Sequence, residues 1–136
     1  MKSIFHDVKL ARALSPQSAN NTTINGEVMD TAGYEGVAFA CLAGALDAAV
    51  TFKVQTGAQA DGSDMADVSG LAQAYTATDD HKPTVLDLNK PAKRYARVVA
   101  VLGNGTAQLV TAIAQLYHGR IHPETQSFGG AFVSGV

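Results

Sequence analysis

Apolar and polar positions alternate most cleanly in AVTFKVQTG. Val50, Phe52 and Val54 fall on one face, Thr51, Lys53 and Gln55 on the other, and Gly57 ends the run. A period of two is that of a strand with one buried face. GYEGVAFACLAGAL is instead a continuous apolar run bounded by glycines, which predicts a central strand, although its alanines leave a helix open. In TVLDLNKP, Leu86 and Leu88 alternate with Val85 and Asp87, and Pro91 closes the segment. The longest uncharged stretch, Val98 to Tyr117, has twenty residues. A membrane-spanning helix needs about 20 predominantly apolar residues, and Gly103-Asn104-Gly105-Thr106, Gln108, Thr111 and Gln115 interrupt this one. It reads better as two segments around a turn, with Asn104 and Gly105 supplying the positive φ of a tight hairpin. Residues 94–102, with ARVVAV, predict a strand. Residues 107–117 are ambiguous, because Leu109, Ile113 and Leu116 also lie at helical spacing and Gly119 is a helix terminator. A strand is favoured there, since a short turn after a strand most simply returns as its antiparallel partner.

Five or more short strands punctuated by Gly, Pro, Asn and Asp predict an all-β chain, an antiparallel β-sandwich or jelly-roll-like barrel. The ends differ. Residues 14–31 are polar with scattered anchors (Ile24, Val28, Met29), and residues 118–136 carry Gly, Pro and two isolated Phe. Neither shows a periodicity that would pack as a regular element. They read either as disordered termini or as extended arms that order on a neighbour. The expected organisation is an N-terminal arm over 1–29, a β-domain over 30–119 and a C-terminal arm over 120–136.

Composition narrows the picture. A chain of 136 residues fits one domain, and such a chain buries roughly two-thirds of the surface exposed when unfolded. A content of 46% hydrophobic and 16% charged residues is globular. The net charge of −2 argues against a nucleic-acid partner, which would need a basic surplus. The one cysteine, Cys41, lies in an apolar run, so it forms no intramolecular disulfide and is expected to act as a small buried hydrophobe. MKSIFHDVKLARALSP has no continuous apolar core and does not read as a signal peptide. Charge is uneven: Asp47, Asp61, Asp64, Asp67, Asp79 and Asp80 precede a basic stretch of Lys82, Lys90, Lys93, Arg94 and Arg97. Such runs are usually solvated loops and strand ends, or else a polar rim that orients subunits.

A search for chemistry returns little. Asp61, Asp64 and Asp67 in DGSDMAD only loosely resemble a calcium loop: the Gly is misplaced and the closing position is Ala72. His118 and His122 are four apart, yet Gly119 and Pro123 disfavour a helix there. There is no phosphate-binding glycine loop, no G-x-S-x-G elbow and no cysteine pair. The expectation is a protein that is not an enzyme and takes no cofactor or metal.

The order DTAGYEGVAFACLAGAL, VTFKVQTGAQADGSDMADVSG and DLNKPAKRYARVVAVLGNGTAQLVTAIAQLYHGRIHP resembles a group of small tailed-bacteriophage proteins usually encoded beside the major capsid protein. The landmarks are Asp30-Thr31, then Gly33-Tyr34-Glu35 before the first strand, and Lys93-Arg94-Tyr95-x-Arg97 at the start of a later one. The resemblance covers about residues 30–123. It implies a virion protein on the outer capsid surface, made in the bacterial cytoplasm, which decorates and cements the shell. The implied partners are the major capsid protein and further copies of itself, a trimer being expected, with no nucleic acid and no membrane. The interface residues it suggests are Lys93, Arg94 and Arg97, with Ile4, Phe5, Phe128 and Phe132 on the arms. Alternatives are a head-completion, connector or tail protein, or a glycan-binding adhesion module. Absence of Trp argues against the last, and a cluster of exposed Tyr34, Tyr75, Tyr95 and Tyr117 would favour it.

Overall fold

The computed structural model describes residues 3–120, 124–126 and 128–135. A single helical turn, α1 (Ile4–Asp7), starts at Ser3, whose hydroxyl caps the His6 amide. Nine strands follow: β1 (Val8–Ala19), β2 (Thr23–Asn25), β3 (Met29–Asp30), β4 (Gly36–Ala43), β5 (Val50–Gly57), β6 (Ala66–Tyr75), β7 (Pro83–Asn89), β8 (Tyr95–Leu102) and β9 (Gln108–Tyr117). They form two antiparallel sheets, ordered β1-β9-β4-β7 (sheet A) and β2-β8-β5-β6 (sheet B), with β3 continuing β2 along β8. Counting β2 and β3 as one interrupted strand gives eight positions in two sheets. Every connection crosses between the sheets except the β5–β6 hairpin and the β2–β3 continuation, which is jelly-roll connectivity.

The core lies between the sheets. Val50, Phe52 and Val54 of β5 are fully buried, as their alternation predicts, and face Val37, Phe39 and Cys41 of β4. β4 is central in sheet A, between β9 and β7. Burial pushes the Cys41 thiol up to about 12, which keeps it protonated and inert.

Two expectations are corrected. The segment expected as an arm over 1–29 is, from Val8 on, part of the sandwich: β1 pairs with β9 from Val8↔Tyr117 to Ala19↔Gln108, and Ala13 and Leu14 enter the core. Register shifts around Leu14 put neighbouring residues on the buried side, which breaks the two-residue period that would have revealed the strand. Pro16 is tolerated because β1 is an edge strand. The second correction concerns GNGT. β8 and β9 are both strands, but they lie in different sheets, so this turn crosses the sandwich instead of closing a hairpin. The positive φ values fall elsewhere, at Asn21, His81, Lys90 and His118 and at six other glycines. Gly105 is required for space instead: an added Cβ would collide with the Asp47 carboxylate, which accepts from Thr106 N (2.5 Å) and Gln108 Nε2 (2.7 Å).

Gly26 joins the layers. Its amide donates to Val98 O on sheet B (2.8 Å), and the next amide, of Glu27, donates to Ala13 O on sheet A (2.8 Å). The chain here passes through the narrow side of the sandwich with backbone on both sides.

Candidate interaction surfaces

The basic strand start is built around Arg94. Its Nε and Nη2 each donate to Asp30 at 2.8 Å, a two-pronged pair that locks β3 to the entry of β8. Thr31 completes the clamp, its amide (3.0 Å) and hydroxyl (2.5 Å) both donating to Arg94 O. The guanidinium lies 5.2 Å from the centre of the Tyr95 ring. Arg97 Nε donates to Gln55 Oε1 at 2.9 Å. Two of the three cations expected at an interface are thus engaged within the chain, while the Lys93 side chain is exposed. The landmark residues frame the fold: Tyr34 N donates to Thr31 O, and Glu35 N donates to Tyr117 O.

The Arg94 guanidinium beside Asp30 holds that carboxyl below its ordinary 3.8. Backbone amides do the same for Asp64, which accepts from Ala58 N and Gln59 N, and for Asp61, which accepts from Ser63 N. Asp79, bonded to Thr76 and Lys82, falls to about 2. A depressed carboxyl contributes stability that is complete above the ordinary 3.8 and disappears as pH falls through the folded value. The melting temperature is therefore expected to be flat from pH 7 to 5 and to drop between pH 4 and 2. Asp30→Asn should lower the neutral plateau and flatten the acid limb, as thermal melts across that range would show.

The acidic loop is accordingly a set of carboxylate-to-amide turns. Among the described residues no group of three or more His, Cys, Asp or Glu is placed to hold a metal ion. His118 sits at positive φ just past β9, and His122 lies outside the described residues. Tyr75 is buried, its ring edge-on to Phe52, so the four tyrosines do not make one exposed cluster.

The C-terminal segment is fastened to the body at Glu124, Gln126 and Phe132. Glu124 N donates to His6 O (2.7 Å) and its carboxylate accepts from Tyr34 OH (3.0 Å). Burial and that carboxylate push the Tyr34 phenol up to about 12. Gln126 acts as a substitute strand on the edge of β1: its Nε2 donates to Phe5 O (2.9 Å) and Val8 O (2.7 Å), and Leu10 N donates to its Oε1 (3.2 Å). Phe132 stacks on Phe5 at 6.2 Å and meets the His6 ring at 4.7 Å. Phe5 and Phe132 thus pair with each other, whereas Ile4 is exposed and Phe128 is wholly so, at 103%. Gly129 and Gly130, both at positive φ, follow Phe128. Between this segment and the body runs a groove of about 910 Å³ lined by Leu10, Met29, Ile113 and Phe128, among others.

A further surface was not anticipated from the sequence. The outer face of sheet A exposes Leu10, Leu42, Val85, Leu109 and Ile113. On β9, Val110, Ala112, Ala114 and Leu116 point inward while Leu109, Thr111, Ile113, Gln115 and Tyr117 point outward. Leu109 and Ile113 are four apart, which suits a helix but also places both on one face of a strand. Apolar residues on both faces of β9 were the signal for this surface, and they erased the alternation. At one end the Tyr117 ring lies across Gly36, where a Cβ would strike it. Its hydroxyl donates to Asp87 Oδ1 (2.6 Å) and accepts from Asn89 Nδ2 (3.1 Å).

No protein-family model and no curated protein sequence matches the chain. Solved structures do. The PBSX exported protein XepA superposes with a TM-score of 0.63 at 13% identity, over 100% of this chain and 46% of XepA. PirA superposes with a TM-score of 0.52 at 13% identity, over 79% of this chain and 95% of PirA. The chain shares its fold with these two proteins. It spans about half the length of XepA, and at this identity the likeness is one of fold.

Proposed function

We propose that the protein is a structural, non-catalytic component of a tailed-phage particle that decorates and cements the capsid shell. The observation that carries this reading is the C-terminal segment: Phe128, Phe132 and Val133 present apolar surface beside two glycines, on a β-sandwich that holds the segment by a few hydrogen bonds and one ring stack. Apolar anchors exposed on an extended segment are a feature of surfaces that dock on a partner. The sequence resemblance supports the same setting, and the fold is shared with the PBSX exported protein XepA. Cementing then follows from mass action: a protein that binds only the mature lattice stabilises it by its binding free energy, repeated over many copies.

The test is co-sedimentation with shells assembled from the neighbouring major capsid protein. The wild type is expected to pellet with mature shells and raise their disruption temperature. Phe128→Ser, which removes no intramolecular packing, should keep the melting temperature of the protein and weaken shell binding at least about tenfold. Wild-type protein left in the supernatant would overturn the reading. A second reading, a protein released free from the cell, draws on XepA being an exported protein. Fractionation of a lysate into particles and soluble medium separates the two.

A further inference from the structure

Going beyond that reading, we propose that the outer face of sheet A is the contact of a two-fold dimer, with β9 of one copy packed over β4 of a second. The registers order this face in rows across β1, β9, β4 and β7. One row reads Arg12, Ile113, Ala40, Val85, and the next Leu10, Gln115, Ala38, Asp87. Along β4 and β9, Leu42 is registered with Thr111. A two-fold axis parallel to the strands and between β9 and β4 lays β9 on the second copy's β4 and β1 on its β7. On the two central strands each larger residue then meets a smaller one, Ile113 over Ala40, Gln115 over Ala38 and Leu42 over Thr111, while on the flanks Arg12 stands over Val85 and Leu10 over Asp87. This self-complementarity is what an isologous contact requires, and it fits two sheets about 10 Å apart with strands nearly aligned.

Charge points the same way. The two strands flanking the apolar centre each bring one charged residue to these rows, Arg12 on β1 and Asp87 on β7, opposite in sign and at opposite edges. The same axis brings Arg12 of each copy to within one row of Asp87 of the other, about 7 Å along the strand, a distance an arginine side chain spans. Arg12 already meets Glu27 and keeps further N–H donors, and Asp87 accepts from Tyr117 through one oxygen only. Four strands at about 4.8 Å spacing and about eight residues long cover roughly 500 Å² in projection, a smaller contact than the roughly 800 Å² per partner of a standard interface, with the C-terminal segment along its rim beside Leu10 and Ile113. A shell protein would have no reason to match the bulky and small positions of β9 and β4 to each other; a second copy does.

Light scattering on the full chain decides it. The expected mass is twice 14.1 kDa. Ala40→Arg should give a monomer with an unaltered melting temperature, whereas Val101→Arg, on the outer face of sheet B, should remain a dimer. Should Ala40→Arg fail to fold, charge exchange reads the same axis: Arg12→Asp and Asp87→Arg should each weaken the dimer on the order of tenfold, and the double exchange should recover most of that loss. A monomeric wild type, a trimer, a dimer that tolerates Ala40→Arg, or a double exchange no better than the single ones would overturn the proposal. A wild-type monomer that still sediments with shells removes the dimer alone. A dimer that ignores shells removes the decoration reading alone.

Discussion

Phe52→Ala is expected to lower the unfolding free energy by about 3–5 kcal/mol, the range for truncating a buried aromatic. Phe52 is fully buried at the centre of β5, and its ring meets that of Tyr75 edge to face at 5.5 Å and 77°. Tyr75 in turn donates its hydroxyl to Lys82 O (2.5 Å), so the pair ties the end of β6 to the segment entering β7. Removing the Phe52 ring opens a cavity and deprives Tyr75 of its packing partner while leaving its hydrogen bond. Tyr75→Phe, which removes only the hydroxyl, should cost about 1 kcal/mol. Urea titration of both variants and the wild type checks the order. Equal losses would mean that the hydroxyl, and not the ring contact, anchors this corner.

Gly26→Ala should also be strongly destabilising, although it adds one methyl group. A Cβ at Gly26 would stand 2.5 Å from Ala13 O and 2.6 Å from Val98 O. Both are backbone atoms of different sheets, so neither can swing aside as a side-chain tip would. Relief requires the sheets to part at their hydrogen-bonded crossing, and overpacking of this kind costs about 1–3 kcal/mol or more. Gly70→Ala is the comparison: its φ of 79° is strained for alanine, yet no atom lies within 4 Å. It should lose only the roughly 1 kcal/mol that left-handed backbone costs a side chain. Thermal melts of the two variants separate collision from conformational strain.

How much of this was legible in the sequence depended on each strand's surroundings. β5 and β7 announced themselves because one face is buried and the other wet. β4 did so as a continuous apolar run, since Ala38 on its outer side is buried as well. β8 was legible from its β-branched residues. β6 was missed because it is an edge strand with most residues exposed and a glycine at φ 79° within it. β1 was missed because its register shifts place Ala13 and Leu14 side by side in the core. Pairing was the least legible: nothing local in GNGT distinguishes a hairpin from a crossing, which is set by inward residues of both flanking strands sharing one core. Of the interface residues expected, Arg94 is held by Asp30, an ion pair between positions 64 residues apart that no local pattern reveals. The apolar outer face of sheet A stayed hidden because Leu109 and Ile113 fit two periods at once.

The place of β9 between β1 and β4 sets the order in which the molecule can be made. Sheet B has its β5–β6 hairpin and then β8 to close on. Sheet A joins residues as distant as Val8 and Tyr117, and among the described strands β1 pairs with β9 alone. Until residue 117 has left the ribosome, β1 and β4 wait with open edges on either side of a missing strand. Sequence-distant pairing of this kind forms slowly. The outer face of sheet A, to which β9 adds Leu109 and Ile113 between β1 and β4, is therefore completed only after β9 has been made. Synthesis itself withholds the sticky surface until the body beneath it is finished.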